Sequence, residues 1–144
     1  MEKKHAQTYQ IRRTTPEIAK QIHLSLCTWN DDFPTSDTNT CIYWQVLLEG
    51  KPVAYTSLSI VDRGASVFLS YSIVSGKHQK RGLHKRMVKV REAYARRKGI
   101  CVALTYTTKD NSKSWQNLVK MGYRIYDPVF AYVGREYFYF QKKL

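Results

Sequence analysis

Val74-Ser75-Gly76-Lys77-His78-Gln79-Lys80-Arg81-Gly82-Leu83-His84 is the stretch on which the reading of this 144-residue chain turns. An alternating run leads into it. Val67, Leu69, Tyr71 and Ile73 fall on one face of a strand over 66–74, with mostly Ser on the other. Beyond the stretch the period changes. Leu83, Met87, Val90 and Tyr94 make the narrow apolar stripe of a helix, Lys85, Lys89 and Arg96 lie opposite, and Gly99 ends it as a C′ residue. Strand, glycine-bearing basic loop and helix start form a layout that binds phosphate. Free N–H groups at a helix N-terminus point at an anion, and the helix dipole favours negative charge there.

Upstream, residues 9–13 read as a short strand. Thr14 or Thr15 caps a helix with Pro16 at its first position and Glu17 in its first turn. Ile18, Ala19, Ile22 and Leu26 share one face of that helix, and a polar loop with Trp29 and Phe33 follows. Strands over 42–48 and 53–61 are joined by the turn Glu49-Gly50-Lys51-Pro52, and Asp62-Arg63-Gly64-Ala65 leads to the strand before the quoted stretch. Downstream, residues 100–107 are a strand, Asn111-Ser112 opens a helix closed by Gly122, and 123–126 and 135–141 are the last strands. The right-handed crossover rule makes the strand before Gln79 and the strand after Gly99 parallel neighbours. The expected fold is α/β (α+β), a mixed, mostly antiparallel sheet with helices on both faces, in one domain over 1–144.

Composition narrows the function. Apolar residues make up 43% and aromatic residues 13%, which argues against wholesale disorder. No run of 18 apolar residues occurs, and the charged start Met1-Glu2-Lys3-Lys4-His5 leads into no apolar signal segment, so a cytoplasmic protein without a membrane span is expected. Cys27, Cys41 and Cys101 lack metal-type spacing and are read as reduced structural thiols, Cys101 as a small core hydrophobe; no metal site is expected. The net charge of +13 implies an anionic partner, whether nucleic acid, membrane surface or phosphate-rich cofactor. Residues 77–98 hold ten Lys or Arg against Glu92 alone, whereas Asp31, Asp32 and Asp37 cluster in a span, 22–49, that has no Lys or Arg.

These residues resemble the GNAT superfamily of N-acetyltransferases. The family's cofactor loop has the form Gln/Arg-x-x-Gly-x-Gly/Ala after an apolar strand; here Gln79-Lys80-Arg81-Gly82-Leu83-His84 stands there. An Asn opening a helix and a Lys-x-Gly-Phe/Tyr ending correspond to Asn111 and Lys120-Met121-Gly122-Tyr123. The resemblance covers the chain from about Tyr9 onward and implies a sheet with a V-shaped splay and acetyl-CoA as cofactor. It implies that backbone N–H groups from about Lys80 to Lys85, including Leu83 and His84, line the pyrophosphate, with Gly82 allowing close approach and Lys77, Lys80, Arg81 and Lys85 adding charge. It further implies that Ile73 and Val74 are strand-like partners for the pantetheine arm, with Asn111 on its other side and Ser114 a turn later. Two departures stand out: His84 occupies the second small position of the loop, and Leu118 occupies the place of the tyrosine that in many members protonates the leaving thiolate.

The implied activity is acetyl transfer to a primary amine of a protein or small molecule. Val74 would supply a backbone N–H to the oxyanion and Tyr106 is a candidate side chain near the acetyl group. Trp29, Asp31 and Asp32 are candidates for receiving a cationic amine. Two alternatives remain open. The acceptor is the amino group of aminoacyl-tRNA, held by the basic helix, or the domain binds acetyl-CoA, nucleic acid or protein without turnover. The aromatic run Tyr137-Phe138-Tyr139-Phe140 is either an edge that pairs in a homodimer or part of the core.

Overall fold

The order of elements is the one expected. The computed structural model describes residues 8–27, 41–131 and 133–144. They form β1 (Tyr9–Thr14), α1 (Pro16–Leu26), β2 (Cys41–Leu48), β3 (Lys51–Val61), β4 (Ser66–Val74), α2 (Leu83–Arg97), β5 (Val102–Thr108), α3 (Ser112–Lys120), β6 (Arg124–Tyr126) and β7 (Tyr137–Lys143). Trp29, Asp31, Asp32 and Asp37 lie outside the described residues.

Local chemistry sets the boundaries. Thr15 caps α1, its hydroxyl accepting the Ile18 N–H at 3.2 Å, and Pro16 takes the position where a missing N–H costs nothing. The turn between β2 and β3 is shorter than expected. Glu49 (φ 50°) and Gly50 (φ 78°) make a two-residue reversal, so Lys51 and Pro52 belong to the exposed start of β3. α2 and α3 end alike. Ile100 N–H donates to Ala95 and Gly99 N–H to Arg96, and Tyr123 N–H donates to Leu118 and Gly122 N–H to Val119. Each is a Schellman motif, which satisfies carbonyls the helix end would strand.

The strands form one seven-stranded sheet in the order β1-β2-β3-β4-β5-β7-β6. β1 with β2, β5 with β7 and β6 with β7 are antiparallel, and β4 with β5 is parallel, as the crossover rule requires. The β4–β5 ladder comprises Val67 with Ala103 and Phe68 with Leu104, after which the Thr105 hydroxyl donates to the Leu69 carbonyl at 3.1 Å. β7 sits between β5 and β6: Tyr139 and Phe140 pair on both sides, while Tyr137 and Phe138 pair with β5 alone.

Two compact units make up the chain: Met1–Ser57 with Tyr71–Met87, and Leu58–Ser70 with Val88–Leu144. In the first, alternation along the strands feeds two clusters. Ala19 and Ile22 of α1 pack with Cys41, Tyr43 and Tyr55, while Leu83 and Met87 of α2 pack with Tyr9, Val46, Val53 and Ala54. Because successive strand residues point to opposite faces, the two helices cover opposite sides of these strands. Leu83 and Met87 are fully buried, each stabilising by about 1.5–3 kcal/mol by transfer from water.

In the second unit α2 departs from a simple solvated face. Arg91 and Glu92 are buried. The Glu92 carboxylate accepts the Tyr123 hydroxyl at 2.8 Å and pairs with the Lys142 ammonium at 3.0 Å, and that ammonium lies 5.5 Å over the Tyr123 ring. This cluster ties α2 to the end of α3 and to β7.

Two expectations are corrected. Cys101 is exposed: it shares the parity of the buried Ala103, Thr105 and Thr107 but lies before β5 begins, outside the strand's alternation. Ile18 is also exposed; the buried face of α1 is Ala19, Ile22 and His23.

Buried tyrosines set the alkaline limit of the fold. Burial holds the Tyr55 and Tyr123 hydroxyls well above their ordinary range and pushes Tyr43 up to about 12. Unfolded tyrosines ionise near pH 10, so the unfolded chain loses protons first and stability falls as pH rises above about 10. Arg91, lowered to about 10 by burial, contributes with the opposite sign and is outnumbered. The melting temperature is expected to drop steeply between pH 9.5 and about 11.5, and less steeply in Tyr123→Phe.

Candidate functional site

The quoted stretch folds in the first unit as a sequence of tight turns. β4 ends at Val74, the Ser75 N–H donates to the Val53 carbonyl at 2.8 Å, and His78 N–H closes a single turn onto Ser75 at 2.8 Å. The backbone then passes through Lys80 (φ 62°) and Gly82 (φ 76°), both left-handed, and α2 starts at Leu83. Arg86 N–H donates to the Gly82 carbonyl at 3.2 Å, which makes Gly82 the residue before the first helical turn. Among the described residues no backbone carbonyl takes the N–H groups of Lys80, Arg81 or Gly82. Leu83 and Lys85 carry first-turn amides beyond the reach of any helix carbonyl. A row of amide donors at a positive helix end is therefore unspent, with the exposed side chains of Lys77, Lys80, Arg81 and Lys85 around it.

The need for glycine at 82 is conformational. A Cβ there would meet nothing within 4 Å, and the constraint is its φ of +76°, which side-chain-bearing residues adopt at a cost. The space above it is open. Of the other loop residues, Leu83 buries its side chain and offers only its amide, and His84 is half-buried. Gln79 is exposed and folds back, its amide donating to the Val74 carbonyl at 3.4 Å. Ile73 and Val74 are half-buried at the end of β4.

A clamp from β1 holds the loop. The Tyr9 hydroxyl lies 3.0 Å from His78 Nδ1, its ring meets the His78 imidazole edge-on at 5.8 Å, and its carbonyl accepts the Arg86 guanidinium at 3.2 Å. One residue thus fixes the chain on both sides of the amide row. Removing the hydroxyl forfeits one hydrogen bond, about 1 kcal/mol of loop order, so Tyr9→Phe is expected to weaken acetyl-CoA binding roughly fivefold by calorimetry.

The second unit holds the remaining expected residues. Asn111 caps α3, its side-chain oxygen accepting the Ser114 N–H at 3.3 Å. Capping uses that oxygen and leaves the amide NH₂ as its donor. Ser114 is half-buried one turn along. Leu118 is buried in the core, so no ionisable group stands at that place. Tyr106 is half-buried in an aromatic set, stacked on Phe68 at 5.6 Å and edge-on to Tyr137 at 5.3 Å. On the same strand the buried Thr107 hydroxyl has no hydrogen-bond partner among the described residues. Buried polar groups are nearly always paired; the Thr14 hydroxyl at the end of β1 is the other such group among the described residues.

The residues missed in the sequence are the ones whose partners are remote. Tyr9 lies 69 residues from His78, and His78 itself reads as one more basic residue of the loop. His23, Arg91 and Glu92 sit in helices where the polar face is normally solvated.

Comparison with known proteins shows the fold and the family. The fold matches an IAA acetyltransferase from Bacillus cereus with a TM-score of 0.78 at 14% identity, over 95% of this chain and 100% of that one. It matches the paia N-acetyltransferase from Thermoplasma acidophilum, solved in complex with coenzyme A, at 0.75 and 13% identity, over 95% and 99%. It matches yncA from Salmonella typhimurium, solved with its cofactor acetyl-CoA, at 0.67 and 21% identity, over 94% and 93%. No curated protein matches the sequence. The model of the acetyltransferase (GNAT) family matches residues 5–123. The chain belongs to the GNAT acetyltransferase family.

Proposed function

We propose that this protein is an acetyl-CoA-dependent N-acetyltransferase that moves an acetyl group to a primary amine of a protein or small molecule. The observation that carries the reading is the row of amides of Lys80, Arg81, Gly82, Leu83 and Lys85, which no backbone carbonyl takes among the described residues, held by Tyr9 and ringed by exposed cations. Its chemistry suits the pyrophosphate of coenzyme A, with Lys80, Arg81, Gly82, Leu83, His84 and Lys85 supplying backbone donors and Gln79 covering the strand end. Asn111 and Ser114 are assigned to the pantetheine arm through the free amide NH₂ of Asn111 and the Ser114 hydroxyl.

Acetyl-CoA supplies an activated thioester, and this chain's residues must orient it, stabilise the oxyanion and supply a proton to the thiolate. The Val74 N–H is assigned as oxyanion donor. Leu118 has no proton to give, so Tyr106 is assigned to the leaving group, and much of the rate falls to proximity and oxyanion stabilisation. Trp29, Asp31 and Asp32 are assigned to the acceptor side.

Coenzyme A release, followed with a thiol reagent over a panel of amines, polyamines and basic peptides, tests the reading. Release that depends on the amine supports it. Tight acetyl-CoA binding with no release across the panel favours a non-catalytic binding module instead.

A second reading takes aminoacyl-tRNA as the acceptor, and the exposed Lys85, Lys89, Arg96 and Arg97 along α2 favour it. Neutralising several phosphates predicts tRNA binding that weakens by about 10³-fold between 50 and 200 mM salt. Salt-insensitive or undetectable binding excludes it. A homodimer stands on the same footing and is read by the mass in solution.

A further inference from the structure

The end of β4 presents different surroundings on its two faces. Val74 packs against the cluster of Leu83 and Met87, where the cofactor loop feeds into α2. Tyr71 and Ile73 pack on the other cluster, with Ala19 and Ile22 of α1 and with Tyr43 and Tyr55. In a direct transfer the two substrates reach the reacting carbon from different sides. A thioester delivered over the start of α2 therefore leaves the α1 side of β4 to the acceptor.

That side carries polar groups which packing alone does not call for. His23 is 1% exposed, and its Nδ1 lies 2.7 Å from the hydroxyl of the fully buried Tyr55. Burial, then the nearby Cys27, Tyr71 and Tyr43, raise the Tyr55 hydroxyl well above its ordinary range, so it keeps its proton beside the imidazole. The imidazole meets the Tyr55 ring edge-on at 5.8 Å and the Tyr71 ring edge-on at 6.4 Å. A buried polar pair costs free energy that an apolar pair of similar volume avoids. The pair packs beside the Tyr71 ring. Tyr71 is half-buried, and among the described residues its hydroxyl makes no hydrogen bond.

We propose that Tyr71 receives the acceptor amine, and that His23 with Tyr55 is the positioning pair that sets the Tyr71 ring. The inference rests on the acetyl-transfer reading above. A phenol suits this substrate class. Its oxygen accepts an N–H from a primary amine, and its face attracts the same group while it is still protonated.

The test uses the full chain with ring-¹³C tyrosine, titrated with spermidine and with a basic peptide bearing a free N-terminal alanine, with and without saturating coenzyme A. Tyr71→Phe identifies the Tyr71 resonance. That resonance is expected to move saturably with at least one probe. His23→Asn, which keeps a polar atom near the Nδ1 position, is expected to keep the shift. His23→Leu is expected to weaken the probe about tenfold, and Tyr71→Phe likewise, with acetyl-CoA affinity unchanged within about twofold for all three. Should His23→Leu fail to fold, Tyr71→Phe and His23→Asn carry the comparison, each checked by its melting curve. A Tyr71 resonance that stays fixed under both probes overturns the proposal, as does a Tyr71→Phe protein that binds the probe like the wild type. Loss of acetyl-CoA binding in the wild type would instead overturn the transfer reading, because the titration without coenzyme A reports on Tyr71 separately.

Discussion

Gly82→Val is expected to weaken acetyl-CoA binding by about two orders of magnitude, with Gly82→Ala near tenfold, while the melting temperature shifts by only a few degrees. Two effects add. A φ of +76° costs a residue with a Cβ about 1–2 kcal/mol, more for a β-branched one, so the loop relaxes away from the turn that points its amides outward. The branched side chain also occupies the open space above position 82. Gly76 is the control: a Cβ there likewise meets nothing within 4 Å, and its φ is not left-handed. Gly76→Val is expected to bind acetyl-CoA within about twofold of wild type, since it neither strains the backbone nor fills the phosphate space. Calorimetry on the three proteins separates these outcomes. A Gly82→Val protein that binds as tightly as wild type would remove the pyrophosphate assignment.

The largest stability effect belongs to a residue with no part in cofactor binding. Glu92→Leu is expected to cost about 3–5 kcal/mol, a fall of roughly 10 °C or more in melting temperature for a chain of this size. Glu92 is 3% exposed, and removing its carboxylate leaves the Lys142 ammonium without its ion-pair partner and Tyr123 without its acceptor. Replacing both partners, Glu92→Leu with Lys142→Met, removes the orphaned charge and is expected to recover much of the loss. Paired thermal melts of the single and double variants check this. Equal destabilisation in both would mean that the ion pair, and not the stranded charge, is what the fold depends on.

Local rules accounted for nearly every element. Thr15 and Pro16 start α1, Gly99 and Gly122 end their helices, and the crossover rule fixed β4 and β5 as parallel neighbours. These signals are short-range, and a one-dimensional chain carries them intact. The strand-loop-helix layout over residues 66–97 was legible for the same reason: its strand, glycine and helix start are contiguous. Cys101 was misplaced because an apolar run does not say where the strand begins; it lies one residue before β5. The Tyr9 clamp, the His23–Tyr55 pair and the Glu92 cluster join residues separated by 69, 32 and 31 positions. Their polar side chains fit a solvated face as well as a buried one, and only the tertiary contacts decide. The chemical step was least legible, because Leu118 removes the one side chain that the family pattern would have named.

The most direct measurement is a calorimetric titration of the wild-type chain with acetyl-CoA, repeated with dephosphorylated pantetheine acetyl thioester, which lacks the pyrophosphate. The account predicts saturable one-site binding of acetyl-CoA with a Kd of about 1–100 μM and little or no binding of the truncated thioester. Equal binding of the two, or no heat from acetyl-CoA, would contradict a pyrophosphate site at residues 79–85.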